Sequence, residues 1–137
     1  MRLNGGDMPF RVTALYAGLN AIILVVLAIR VARQRGISKV GIGTGGDETL
    51  ERASRIHGNA VENIPIVLIL LGLAEACGSS PVLLHGMGIA LTLGRLFHAW
   101  GLMQSPGNSF GRAAGISLTW LALLAGAVRA ILTGLGL

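Results

Sequence analysis

The residues of this chain with the most chemistry to offer stand close together: Arg52, Arg55, His57, Asn59 and Glu62, followed by Pro65. Arg52, Arg55, Asn59 and Glu62 fall at i, i+3, i+7 and i+10, which is one face of a helix. Arginine grips a carboxylate through two parallel N–H bonds, a glutamate holds an ammonium, and an asparagine offers both an amide donor and an amide acceptor. Such a set suits a zwitterionic ligand with more negative than positive charge. A guanidinium beside a thiol also favours the thiolate, and lowering a free thiol from about 8.5 by two units corresponds to about 2.7 kcal/mol. The stripe enters an apolar run, 64–76, where ionisable side chains are costly and rarely stand without a use.

The rest of the chain reads as the scaffold for that stripe. It has 137 residues, 53% of them hydrophobic and 12% charged, with a mean hydropathy of +0.71. Soluble domains carry roughly a quarter charged residues, so this composition points to lipid. Four spans of roughly 20 residues nearly exhaust the length. The expected fold is therefore all-α: a single integral membrane domain over 1–137, a four-helix bundle with spans at about 10–32, 53–77, 81–103 and 112–132. Met1 and Arg2 ahead of an apolar run resemble a signal peptide, but the run is too long and ends in Arg30, Arg33 and Arg35 without a small-residue cleavage site. It reads as the first span, preceded by a polar lead-in over 1–8. The single cysteine, Cys77, excludes an internal disulfide.

The net charge of +5 does not describe a nucleic-acid surface. Six of the eleven basic residues lie in the connection between spans one and two and its helix ends (Arg30, Arg33, Arg35, Lys39, Arg52, Arg55), and the next connection has none. By the positive-inside rule the first connection is cytoplasmic and both termini face outward. The glycine tract 41–46 is not followed by the Gly-Lys-Ser/Thr of a nucleotide loop and follows no strand, so residues 30–49 read as a loop. Asp47 and Glu48 place acidic groups at the positive end of the second helix.

From Asp47 to Cys77 a helix would be roughly 45 Å long against a hydrocarbon core of about 30 Å. Its first turns project into water, Arg52 and Arg55 reach the interface, and Glu62 lies about 8 Å inside. Pro65 frees the carbonyl of Val61 and is expected to kink the helix beyond the stripe. Arg95 stands about 21 Å from the start of span three and Glu62 about 22 Å from the end of span two, so the two charges share a depth and are expected to pair. Gly86, Ala90 and Gly94, and Ala122, Gly126 and Ala130, recur every fourth residue, a spacing that lets helices approach closely. Asn20 in the first span reads as a packing residue, and Glu75 and His85 as side chains reaching for water at the outer surface. Residues 104–111 form a turn, and Arg112 opens the last span on the cytoplasmic side.

Arg55, His57, Asn59, Glu62 and Pro65, spaced as Arg-x-His-x-Asn-x-x-Glu-x-x-Pro, resemble the signature of the MAPEG family, the membrane-associated proteins of eicosanoid and glutathione metabolism. The segment 94–101, Gly-Arg-Leu-Phe-His-Ala-Trp-Gly, is similar to the matching part of bacterial members, and the resemblance covers nearly the whole chain. It implies a homotrimer that binds glutathione as co-substrate on the cytoplasmic side, between neighbouring subunits. The thiol is activated there for transfer to lipophilic electrophiles from the bilayer or for reduction of lipid hydroperoxides. Position by position, Arg55, Asn59 and Glu62 match glutathione-binding residues, and Arg95 matches the span-three arginine in or beside the site. Asn63 stands where many members have tyrosine, and the late tyrosines of span three are missing. Thiol activation then falls to an arginine, first Arg112, next Arg33 or Arg30.

His57 and His98 complete the candidate ligand set, each also readable as an interfacial or packing residue. No spacing among His57, Glu62 and His98 forms a recognisable metal site. Beside the glutathione transferase or peroxidase stand two other readings: a non-catalytic membrane trimer that binds glutathione or lipid, and a small proton-coupled exporter. The exporter expects its carboxylate at the midplane with access from both sides. The arginine-rich cluster here is displaced toward one surface. The expected setting is a bacterial inner membrane, with lipids and a second and third copy as the partners.

Overall fold

The computed structural model describes residues 9–104 and 109–137. They form four helices, α1 (Arg11–Ser38), α2 (Glu48–Ala76), α3 (Pro81–Gln104) and α4 (Phe110–Gly134), each long and apolar enough to cross a membrane. The chain is an all-α integral membrane protein. The lead-in at 1–8 and most of the turn after α3 (105–108) lie outside the described residues.

The helices run alternately up and down, because the tertiary hydrogen bonds join the start of α1 to the end of α2 and the end of α1 to the start of α2. In lipid the contact between helices gains little from the hydrophobic effect and depends on close packing and hydrogen bonds. One core layer sets Leu27 of α1 and Ile64, Val67, Leu91 and Ala122 of the other helices together, and a second gathers Tyr16, Leu71, Ala74, Leu84 and Met87. Their outer faces, such as Ile22, Val25 and Ile69, are exposed as befits a lipid boundary.

Helix α1 does not end near residue 32. It continues to Ser38, so Arg30, Arg33 and Arg35 are helical and only 39–47 connect to α2. No proline or glycine cap interrupts the chain before Lys39, which ends the helix in the left-handed region at φ 53°. Arg35 then turns back and donates to the carbonyls of Gly43 at 2.9 Å and Gly41 at 3.2 Å, organising the glycine tract. Asp47 caps α2, accepting from the amides of Thr49 and Leu50 at 2.8 and 3.0 Å.

Ser38 and Gln34 also donate to Asp47, so the connection is closed by one carboxylate. These hydrogen bonds, Ser38 first, then Gln34 and the Leu50 amide, hold the Asp47 carboxyl well below the usual carboxylate range. A depressed carboxylate contributes stability that is whole above the ordinary aspartate value of about 4 and is lost as pH falls toward the folded-state value. Thermal melts in detergent should therefore show the wild type losing part of its margin over Asp47→Asn as the pH drops below about 4. An unchanging margin across that range would remove Asp47 from this role.

At the other end of the bundle one expectation is corrected. Glu75 does not reach for water. It accepts from the amides of Val12 and Thr13, both at 2.8 Å, and from the Thr13 hydroxyl at 2.6 Å, and so caps α1, whose own N-cap residue Phe10 supplies no side-chain bond. His85 pairs with the Tyr16 hydroxyl at 3.0 Å, its Nδ1 facing the oxygen. Asn20, fully buried, packs between helices and donates to Thr92 Oγ1 at 2.9 Å.

The small-residue stripes are used unevenly. A Cβ at Gly86 would meet nothing, whereas one at Gly94 would meet Thr119 Oγ1 at 2.6 Å and the Gly115 carbonyl at 2.9 Å. Gly101 lies against the Arg112 amide, and Gly115 against the backbone of His98. The tight seam is therefore Gly94 and Gly101 of α3 against Gly111 and Gly115 of α4. On the other stripe, Gly126 serves contact with Leu70 and Met87.

Candidate functional site

The seam between α3 and α4 brings the start of α4 beside the first turns of α2. There a cavity of about 410 Å³ is lined by Glu48, Glu51, Arg52, Arg55, Leu102 and Arg112. Three guanidinium groups and two carboxylates thus face one space, floored by an apolar side chain. Arg55 is well exposed and lies 3.7 Å from Glu51, an open pair one turn apart that a ligand can displace at little cost. Arg112 stands in the first turn of α4, whose N-cap Ser109 accepts from the Arg112 amide at 3.3 Å and donates to the Gly101 carbonyl at 3.0 Å. The same serine therefore holds the α4 start against α3.

One turn deeper is a second polar group. Arg95 is buried, 2% exposed, and its Nη1 donates to Asn59 Oδ1 at 2.6 Å while Nη2 donates to Thr119 Oγ1 at 2.5 Å. Thr119 in turn donates to the Gly115 carbonyl at 2.9 Å. Three helices, α2, α3 and α4, are tied through one guanidinium. His98 is buried, and its backbone meets Gly115; His57 is half-buried on α2.

The expected pairing of Glu62 with Arg95 is not formed. Arg95 takes Asn59, and Glu62 is exposed on the outside of the bundle. Depth along two antiparallel helices follows from the residue count, but Asn59 and Glu62 point about 60° apart around α2. Arg95 arrives from the inner side, where only Asn59 is in reach. The stripe thus straddles the edge of the bundle: Arg52 and Asn59 are half-buried on its inner flank, and Arg55 and Glu62 are exposed on its outer flank.

Arg33 and Arg30 lie elsewhere in the subunit. They line a shallow groove on the outer face of α1 with Val26, Ile29, Gln34 and Ile37, separate from the cavity that holds Arg112. Arg30 Nη1 donates to the Met103 sulfur at 2.6 Å. Among the described residues no three His, Cys, Asp or Glu side chains converge as a metal site would require. The sequence reading missed Thr119, a hydroxyl in an apolar helix, for which no spacing rule exists. It also passed over Glu48, which read first as a helix-start acid, and Glu51, to which it gave no role, as cavity residues.

A family model described as the MAPEG family matches residues 13–132. The inner membrane protein YecN of Escherichia coli strain K12 is 42% identical over 113 residues, covering 82% of this chain and 85% of that one. An uncharacterized protein of Synechocystis, sll1147, is 33% identical over 122 residues, covering 87% of each.

Proposed function

The chain belongs to the MAPEG family, and from that premise we propose that it is a glutathione-dependent membrane transferase or peroxidase. The observation that carries this reading is the convergence of Arg52, Arg55 and Arg112 with Glu48 and Glu51 on one cavity at the basic end of the bundle. Glutathione carries two carboxylates, one ammonium and a thiol, and that cavity offers more cationic than anionic partners in an open, wettable setting. Arg52 and Arg55 bind the carboxylates and Glu51 or Glu48 meets the ammonium. Arg112 stabilises the thiolate, the thiol proton leaving to water. The sulfur then attacks an electrophilic carbon, whose bonding pair leaves with the displaced group. With a hydroperoxide it attacks the distal oxygen instead: the O–O bond breaks, the alkoxide takes a proton, and a second glutathione reduces the resulting sulfenic acid to disulfide and water.

The subunit acts as part of a homotrimer. Glu62 supports this: an exposed carboxylate about 8 Å inside the hydrocarbon is expensive unless protein covers it. A neighbouring copy on the outer flank of α2 covers Glu62 and completes the glutathione site there, and the outer groove of α1 lets it bring Arg33 or Arg30 to the same ligand. The concentration of Arg30, Arg33, Arg35, Lys39, Arg52, Arg55 and Arg112 at one end supports a cytoplasmic site and outward termini in an inner membrane.

Titrating glutathione into the detergent-purified protein at neutral pH, with ultraviolet difference absorbance for thiolate, tests the reading. A saturable thiolate signal is expected. Heat of binding without thiolate would replace the enzyme by a non-catalytic binding trimer, and no binding would end the glutathione reading altogether.

A further inference from the structure

The bonding of Asn59 restricts what it can present to a ligand. A guanidinium has donors only, so the Asn59 atom 2.6 Å from Arg95 Nη1 is the amide oxygen. The far end of Arg95 is set the same way. The Thr119 hydrogen is committed to the Gly115 carbonyl, which leaves its oxygen to accept from Nη2. The Asn59 nitrogen, at the opposite corner of a planar amide, donates to no described residue. It is also not one of the buried polar atoms left without a partner, which are Asn20 Oδ1, Ser54 Oγ and Arg95 Nε. A half-buried amide nitrogen with no acceptor that is not among these opens to the surface, one turn below Arg55.

We propose that Thr119 and Arg95 act as a positioning relay that locks the Asn59 amide with its nitrogen outward, so that the ligand atom read there is an oxygen acceptor, a carboxylate or a peptide carbonyl. The inference rests on the glutathione site proposed above and sharpens it. The amide that sequence alone leaves free to present either end turns its oxygen inward to Arg95 and its donor outward, which leaves an ammonium to the carboxylates. The buried cation behind the amide polarises it and strengthens its N–H groups toward an anionic oxygen. Thr119 is a positioning residue, since it touches Arg95 and not the ligand.

Calorimetric titration of glutathione into the full-length protein in detergent, with a thermal melt of each variant, tests this. Asn59→Asp keeps an oxygen for Arg95, gives the buried cation a counter-ion and removes the outward donor. Its dissociation constant should rise at least about tenfold with no loss of melting temperature. Thr119→Val should weaken binding about threefold or more, and Thr119→Ser, which restores the acceptor, should return it to near wild type. Wild-type binding with Asn59→Asp equally tight would overturn the inference and leave the glutathione site standing. So would equal weakening by valine and serine at 119. If Asn59→Asp both binds poorly and melts early, the valine and serine pair decides. A wild type that binds no glutathione overturns the site itself, and the inference with it.

Discussion

Replacing Arg112 by alanine is expected to abolish the thiolate signal while glutathione still binds within a few-fold of wild type. Arg112 shares its cavity with Arg52 and Arg55, and under the proposed reading these two keep the carboxylate contacts when it is gone. Arg112 is half-buried at the start of α4 and shares the cavity lining with the apolar Leu102, so its attraction to sulfur is screened less than in bulk water. A thiol of about 8.5 is about 3% ionised at neutral pH, and one lowered by two units is about three-quarters ionised. Loss of Arg112 should therefore reduce the bound thiolate by more than an order of magnitude, equivalent to about 2.7 kcal/mol. Arg112→Lys should restore part of the signal, as a compact charge without the planar fork. Thiolate undiminished in Arg112→Ala would transfer the activating role to Arg33 or Arg30, which then must come from a neighbouring subunit, because within one subunit they line a different groove.

A large effect on the fold is expected from Gly115→Ala. A Cβ there overlaps the backbone of His98 and the Gly94 carbonyl, and backbone inside a packed helix cannot yield as a side chain does. Overpacking of a tight core typically costs about 1–3 kcal/mol, and a clash with two backbone groups of α3 belongs at the top of that range or beyond. The damage should reach the site. Thr119, one turn from Gly115, loses its register with Arg95, and Arg112 moves away from Gly101 and the cavity. The companion variant Gly86→Ala stands in the stripe that spacing singled out, yet its Cβ meets open space. It should be neutral or more stable by about 0.5–1 kcal/mol, the ordinary gain of alanine over glycine in a helix. Detergent melts of the two proteins read the difference directly, and equal melting temperatures would show that the α3–α4 seam does not rest on Gly115.

The contrast between those two glycines shows what could be read from the chain by itself. Span number, the all-α class, the polar stripe on α2, the acidic start of that helix and the basic end of the bundle follow from composition and local periodicity. Both are properties of one helix at a time. Depth was legible too, since a helix rises a constant 1.5 Å per residue whatever it packs against. On that ground Arg52, Arg55 and Arg112 could be expected at one end, and they line one cavity.

Rotation about each helix axis was not legible, because it is set by which side chains interlock between helices. Gly94, Gly101, Gly111 and Gly115 draw α3 and α4 together at one angle. That angle turns Arg95 toward Asn59 and Thr119 and leaves Glu62 outside. Contacts between residues far apart in sequence carry no local signal either: Glu75 caps a helix whose start lies 63 residues away. The chemistry of the stripe was thus written in the residue types, whereas the division of its members between inner relay, open cavity and outer face was decided by tertiary packing. Packing selects the azimuth at which small residues allow two backbones to meet.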